Sequence, residues 1–216
     1  MNKYFLNKDE LALIAPYVDS ESLLTPEVTP KRNGAKARLS WAAPSKEDIA
    51  TIIEFTGLSQ DELSPLVGMS NVTLWLYKNQ RSDYNLSYTS YVLLCRMAAR
   101  KLADKKMPSP GDKIFTPQKE KILTQYVDKG ALYYPTQGEN EQGSTTLIYQ
   151  SKPSIEQASA MINKILDAGY VTTNVMQIFG LQDRITRAKK KDSYLEFSQF
   201  ILLCEAILKV ESDKPL

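Results

Sequence analysis

Leu58-Ser59-Gln60-Asp61-Glu62-Leu63-Ser64-Pro65-Leu66-Val67-Gly68-Met69-Ser70-Asn71-Val72-Thr73-Leu74-Trp75-Leu76-Tyr77-Lys78 decides how this chain folds. Ser59 is the N-cap of the first helix. Leu63 and Leu66 lie three apart and share one face. Ser64 is small enough to let a second helix come close. Gly68 can take the left-handed backbone conformation that a Cβ resists, and so ends the first helix. Ser70 or Asn71 then caps a second helix, which Leu74 and Tyr77 anchor to a core. The stretch predicts two short helices joined by a tight turn.

Those residues carry a resemblance. The Leu58-Ser59-Gln60 start, the small Ser64 four places after Gln60, the Gly68-Met69-Ser70 turn and the inward Leu74 together resemble the helix-turn-helix of the phage lambda repressor-like superfamily. The resemblance implies a mainly α fold and double-stranded DNA as partner. The role it implies is that of a transcriptional repressor or regulator, such as phages, plasmids and other mobile elements carry. In such proteins the second helix enters the major groove. By resemblance, Gln60 contacts phosphate and braces Asn71, while Asn71, Val72, Thr73 and Leu76 lie nearest the base edges. Asn71 can pair with adenine and Val72 can touch a thymine methyl. Trp75 and Leu76 depart from the pattern, being large and apolar where the family faces DNA. They either stack on sugars and methyl groups or form a protein interface, to a second copy or to another protein.

Working outward, the half-chain around this motif repeats. Tyr17-Val18-Asp19 recurs as Tyr126-Val127-Asp128, Leu23 and Pro26 as Leu132 and Pro135, Pro44-Ser45 as Pro153-Ser154, and Leu94-Cys95 as Leu203-Cys204, with Tyr91 mapping onto Phe200. Gly57 and Gly68 map onto Gly169 and Gly180 with a slightly larger shift. The chain is read as a tandem duplication, with one helix-turn-helix domain in residues 1–108 and a second in 109–216. The boundary falls at Lys106-Met107-Pro108-Ser109-Pro110-Gly111-Asp112, where two prolines and a glycine break any helix.

Each half predicts the same order. A short helix comes first, over Lys8 to Tyr17 and Thr116 to Tyr126. A β-hairpin follows, around Thr29 to Lys36 and around Thr136 to Glu141, on asparagine and glycine turn signals. A helix cluster then starts near Ser45 and near Ser154.

The second motif copy reads Ile178-Phe179-Gly180-Leu181-Gln182-Asp183-Arg184-Ile185-Thr186-Arg187-Ala188-Lys189-Lys190-Lys191. Gln182 and Asp183 open its helix, and Arg184 and Arg187 share a face. Lys189, Lys190 and Lys191 fall where the helix leaves the groove, near phosphate. The family's opening glutamine is missing, with Thr172 or Thr173 near its place. A solvated helix face is the alternative reading of this run. In the first hairpin Lys31 and Arg32, with Lys36 and Arg38, form either a wing to the DNA backbone or an ordinary exposed turn. Glu139 and Glu141 are their acidic counterparts.

Composition bounds the rest. The 216 residues carry a net charge of +2, so DNA affinity must come from local patches. There is no histidine, which removes Ser-His and Cys-His pairs and mixed zinc sites. No enzyme, metal or cofactor is expected. Two cysteines, Cys95 and Cys204, sit in apolar helical runs and read as buried, reduced thiols. No apolar run approaches the ~20 residues of a membrane span, and the first residues lack a signal-peptide core, so a cytoplasmic protein is expected. The other functions the pattern allows are an interaction adaptor that kept the fold, or an accessory protein marking a plasmid transfer or partition site.

Overall fold

The computed structural model describes residues 5–29, 38–83, 86–170 and 195–212, and these are mainly helical. Helix α1 (Lys8–Ile14) is capped by Asn7, whose side chain accepts from the Asp9 and Glu10 amides while Glu10 accepts from the Asn7 amide. It is shorter than its sequence predicts. Pro16 offers no amide hydrogen, so the α-helical ladder stops and residues 15–17 continue as a 3-10 turn. The matching α6 (Pro117–Leu123) is likewise shorter: Thr116 stands outside as N-cap, Pro117 occupies the first helical position, and the chain past Thr124 tightens into turns.

Two small antiparallel hairpins follow these helices. Strands β1 (Glu27–Thr29) and β2 (Arg38–Ser40) pair with Val28 opposite Leu39. Their connection, with Lys31, Arg32 and Lys36, lies outside the described residues. Strands β3 (Thr136–Glu139) and β4 (Thr145–Ile148) pair with Gln137 opposite Leu147. The turn is at Asn140–Ser144, where the Asn140 carboxamide oxygen accepts from the Gln142 and Ser144 amides at 3.0 and 2.8 Å. Gly138 is therefore a strand residue, not part of the turn as its neighbours suggest. The end of the Ile148 side chain lies over it, and as the tip of a flexible, exposed side chain it can give way to a Cβ.

The remaining helices are α2 (Lys46–Phe55), α3 (Gln60–Val67), α4 (Asn71–Lys78), α5 (Tyr88–Leu102), α7 (Ile155–Asp167) and α8 (Phe197–Glu211). Ser45, Ser59, Ser70, Ser87 and Ser154 each cap a helix by accepting a backbone amide three residues on. The two longest described helices, α5 and α8, are buried along most of their length and pack on each other. One continuous apolar cluster takes in residues of both halves, from Ile14, Ile52 and Leu94 to Leu123, Met161 and Leu203. Fully burying each such side chain contributes roughly 1.5–3 kcal/mol before entropy is charged against it. Residue 108 thus lies in a connection between helices that share a core.

Positions matched by the shift that carries Tyr17 to Tyr126 can be compared in this packing. Tyr88 meets Trp41 edge-on at 5.4 Å, and its counterpart Phe197 meets Tyr149 at a tilt at 6.1 Å, although Trp41 itself corresponds to Gln150. Buried Ser22 shares a 3.1 Å hydrogen bond with the Tyr91 hydroxyl. At the equivalent positions Ala131 and Phe200 are also buried, and both hydroxyls are gone together. Losing both partners of a buried bond is nearly neutral, whereas losing one strands the other. Cys95 and Cys204, again equivalent, are free and buried. Burial pushes the Cys95 thiol up to about 12 and Cys204 upward too, so neither is a thiolate near neutral pH.

Candidate nucleic-acid interface

The α3–turn–α4 unit is built by short-range bonds. Ser59 accepts from the Glu62 amide at 3.3 Å, while the Glu62 carboxylate accepts from the Ser59 amide at 2.8 Å and hydroxyl at 2.7 Å. Those bonds hold the Glu62 carboxyl below its ordinary value. Helix α3 ends at Gly68 with φ +71°, and the Gly68 and Met69 amides both donate to the Ser64 carbonyl. The Ser64 hydroxyl donates to the Met69 carbonyl at 2.5 Å, tying the turn shut. Ser64 is buried, as its small size requires. The turn also meets the other half of the chain. A Cβ on Gly68 would stand 2.4 Å from the Cβ of Phe197, the first residue of α8.

Ser70 caps α4, accepting from the Thr73 amide at 3.1 Å. Leu74 is fully buried and Tyr77 nearly so, and these two hold the helix to the core. The opposite face is open. Val72 is 69% exposed and Trp75 40%, with the Arg81 guanidinium 5.2 Å from the Trp75 ring centroid. Lys78 is exposed beyond them, and Leu76 and Thr73 are half-buried. The Thr73 hydroxyl is engaged with Ser70 at 2.8 Å.

Gln60 opens α3 and Asn71, Val72 and Thr73 open α4, with Leu76 one turn further along. The bracing of Asn71 differs from expectation. Its carboxamide nitrogen donates to the Asp61 carboxylate, and its oxygen accepts from the Gln137 side chain at 3.1 Å. Among the described residues Gln60 makes neither bond, because it opens α3 half-buried and one position short of the side chain that reaches Asn71. Asp61, Arg81 and Gln137 were not picked out by sequence reading. Asp61 looks like an ordinary first-turn carboxylate, and Gln137 sits beside a glycine in what reads as a turn. Gln182, Asp183, Arg184, Arg187, Lys189, Lys190 and Lys191 lie outside the described residues, as do Lys31 and Arg32.

The two halves meet along α5 and α8. Ser198 shares 3.0 Å hydrogen bonds with Thr89 and Ser90. Two turns along, Arg96 grips Glu205 through both guanidinium nitrogens at 2.5 and 2.6 Å. Thr89 with Ser198, and Arg96 with Glu205, are equivalent pairs under the shift that carries Tyr17 to Tyr126.

No family model, curated protein or solved structure matches the chain. Among the described residues no helix is long and apolar enough to cross a membrane, and no group of three or more His, Cys, Asp or Glu side chains is placed to share a metal ion.

Proposed function

We propose that the chain is a sequence-specific double-stranded DNA-binding protein, a repressor-type regulator that reads an asymmetric bipartite site with two helix-turn-helix units in one polypeptide. The observation that carries this reading is α4: a capped helix behind a tight left-handed turn, pinned by Leu74 and Tyr77, with Val72 and Trp75 facing solvent. Two helical residues at an N-terminus with a methyl-bearing side chain beside an amide suit a thymine next to an adenine. The α5–α8 contact supports the bipartite site, because it joins the halves through equivalent positions. Phosphate affinity in the second half falls to Arg184, Arg187 and Lys189 to Lys191 of the sequence.

A protein-interaction module is the second reading, favoured by one observation: Val72 and Trp75 form an exposed apolar pair one turn apart. The test is selection of bound sequences from a random DNA pool by the purified chain, followed by a gel-shift salt titration. Enrichment of an asymmetric two-part site, with affinity falling steeply as salt rises, is the expected result. No enriched sequence, and passage through heparin at low salt, would replace DNA with a protein partner.

A further inference from the structure

We infer that Gln137, supplied by the second half's hairpin, is a positioning residue for Asn71 at the tip of the first half's recognition helix, so that base reading by one half depends on the other. The inference rests on the DNA-binding reading above and adds to it the way the site is assembled. Three side chains form a directional chain of bonds. The Gln137 carboxamide donates to the Asn71 oxygen at 3.1 Å, and the Asn71 carboxamide donates to Asp61 on α3. A carboxylate can only accept, so Asp61 fixes which end of the Asn71 amide is nitrogen. Gln137 then holds the oxygen end. With both ends held the amide cannot flip.

The bonds do not exhaust it. A carboxamide has two N–H donors and two acceptor lone pairs. The relay uses one of each and leaves one donor and one acceptor, the complement an adenine edge presents in the major groove. Locking an amide in advance is how a polar side chain is prepared to read a base with little ordering cost on binding. The second half is in place to do this because β3 packs against α3. Gln137 and Leu147 stand opposite each other on the same face of the hairpin, both half-buried.

The experiment compares the full-length chain with Gln137→Leu, Gln137→Glu and the double variant Asp61→Asn/Gln137→Glu. The readout is the ratio of affinities for the selected site and for that site with single base-pair changes, alongside thermal melting. Gln137→Leu frees one end of the amide. Gln137→Glu sets a second carboxylate against it. Both singles are expected to lose about tenfold in discrimination at one base pair of the first half-site, and to keep it elsewhere. The double variant reverses the relay at unchanged net charge, which turns the Asn71 amide over and exchanges its free donor and acceptor, and is expected to move the preference at that base pair away from the parent's rather than restore it. A purely structural role would lower the melting temperature or overall affinity without moving the ratio at a single position. If the parent chain selects a site and both singles keep its full base preference, the inference is overturned while the DNA-binding reading stands. If the parent chain selects no site, the DNA-binding reading fails and takes the inference with it.

Discussion

Gly68 shows how much one residue can be asked to do. Its φ of +71° ends α3, and the absence of a Cβ lets α8 begin against the turn. Gly143 has nearly the same φ, +74°, but nothing within 4 Å of a Cβ built there. The pair separates backbone strain from packing. Gly143→Ala carries the left-handed penalty alone, about 1–2 kcal/mol. Gly68→Ala adds a collision with the Phe197 Cβ, which cannot swing aside because it is next to the backbone, and the total is expected at about 2–5 kcal/mol. Urea unfolding of the two variants checks this. Equal losses would mean that the contact between the turn and α8 has room to relax. The turn role of Gly68 was legible in the sequence, because left-handed glycines after a helix are a local rule. Its contact with Phe197 was not, since the two residues are brought together only by the packing of the halves.

At the level of elements, the starts of helices and the presence of a hairpin in each half were readable, and the centre of the second hairpin was not. Ser45, Ser59 and Ser154 start their helices as the sequence indicates, because a cap needs only a hydroxyl and the next three amides. The second hairpin was drawn around the wrong centre. Asn140 makes the turn through its own side chain, and Gly138 is in a strand opposite Thr146, a partner across the ladder rather than along the chain. The caps make a prediction about acid. Glu62 has its carboxyl lowered by bonds from Ser59, so the folded state favours its charged form. Its contribution is present in full above about pH 4.5 and is lost as pH falls through the lower folded value. Other lowered carboxyls, Glu120 and Glu211 among them, share in the acid loss of the whole protein, so a difference is needed. Glu62→Gln keeps an oxygen for the Ser59 amide but has no charge to lose. The stability gap between parent and variant is expected to be widest at neutral pH and to close as pH falls below about 4.5, as measured by urea midpoints at each pH. A gap that stays constant would mean the carboxylate charge adds nothing to the cap.

At the scale of the whole molecule, the two halves of the described chain meet along α5 and α8, where residues related by the shift that carries Tyr17 to Tyr126 touch one another. Equivalent positions that meet one another are the mark of a twofold contact, in which each surface is its own partner. In such a contact an arginine at position 96 would face an arginine, and a glutamate would face a glutamate. The chain instead places Arg96 against Glu205, with side chains only 13% and 24% exposed. Like charges at that burial would repel with little screening, so unlike residues let each half prefer the other over a copy of itself. Arg96→Glu and Glu205→Arg each recreate a like-charged pair, and each is expected to cost about 3–5 kcal/mol, as does breaking a buried pair. The exchange variant with both changes restores opposite charges and is expected to recover part of that loss. Recovery stops short of complete because Arg96 also donates to the Phe5 carbonyl at 2.9 Å and stands 4.0 Å from Glu10, which would repel a glutamate at 96. A double-mutant cycle from urea unfolding measures the coupling. If the two losses simply add, then positions 96 and 205 do not sense each other, and the twofold account of how the halves join is wrong.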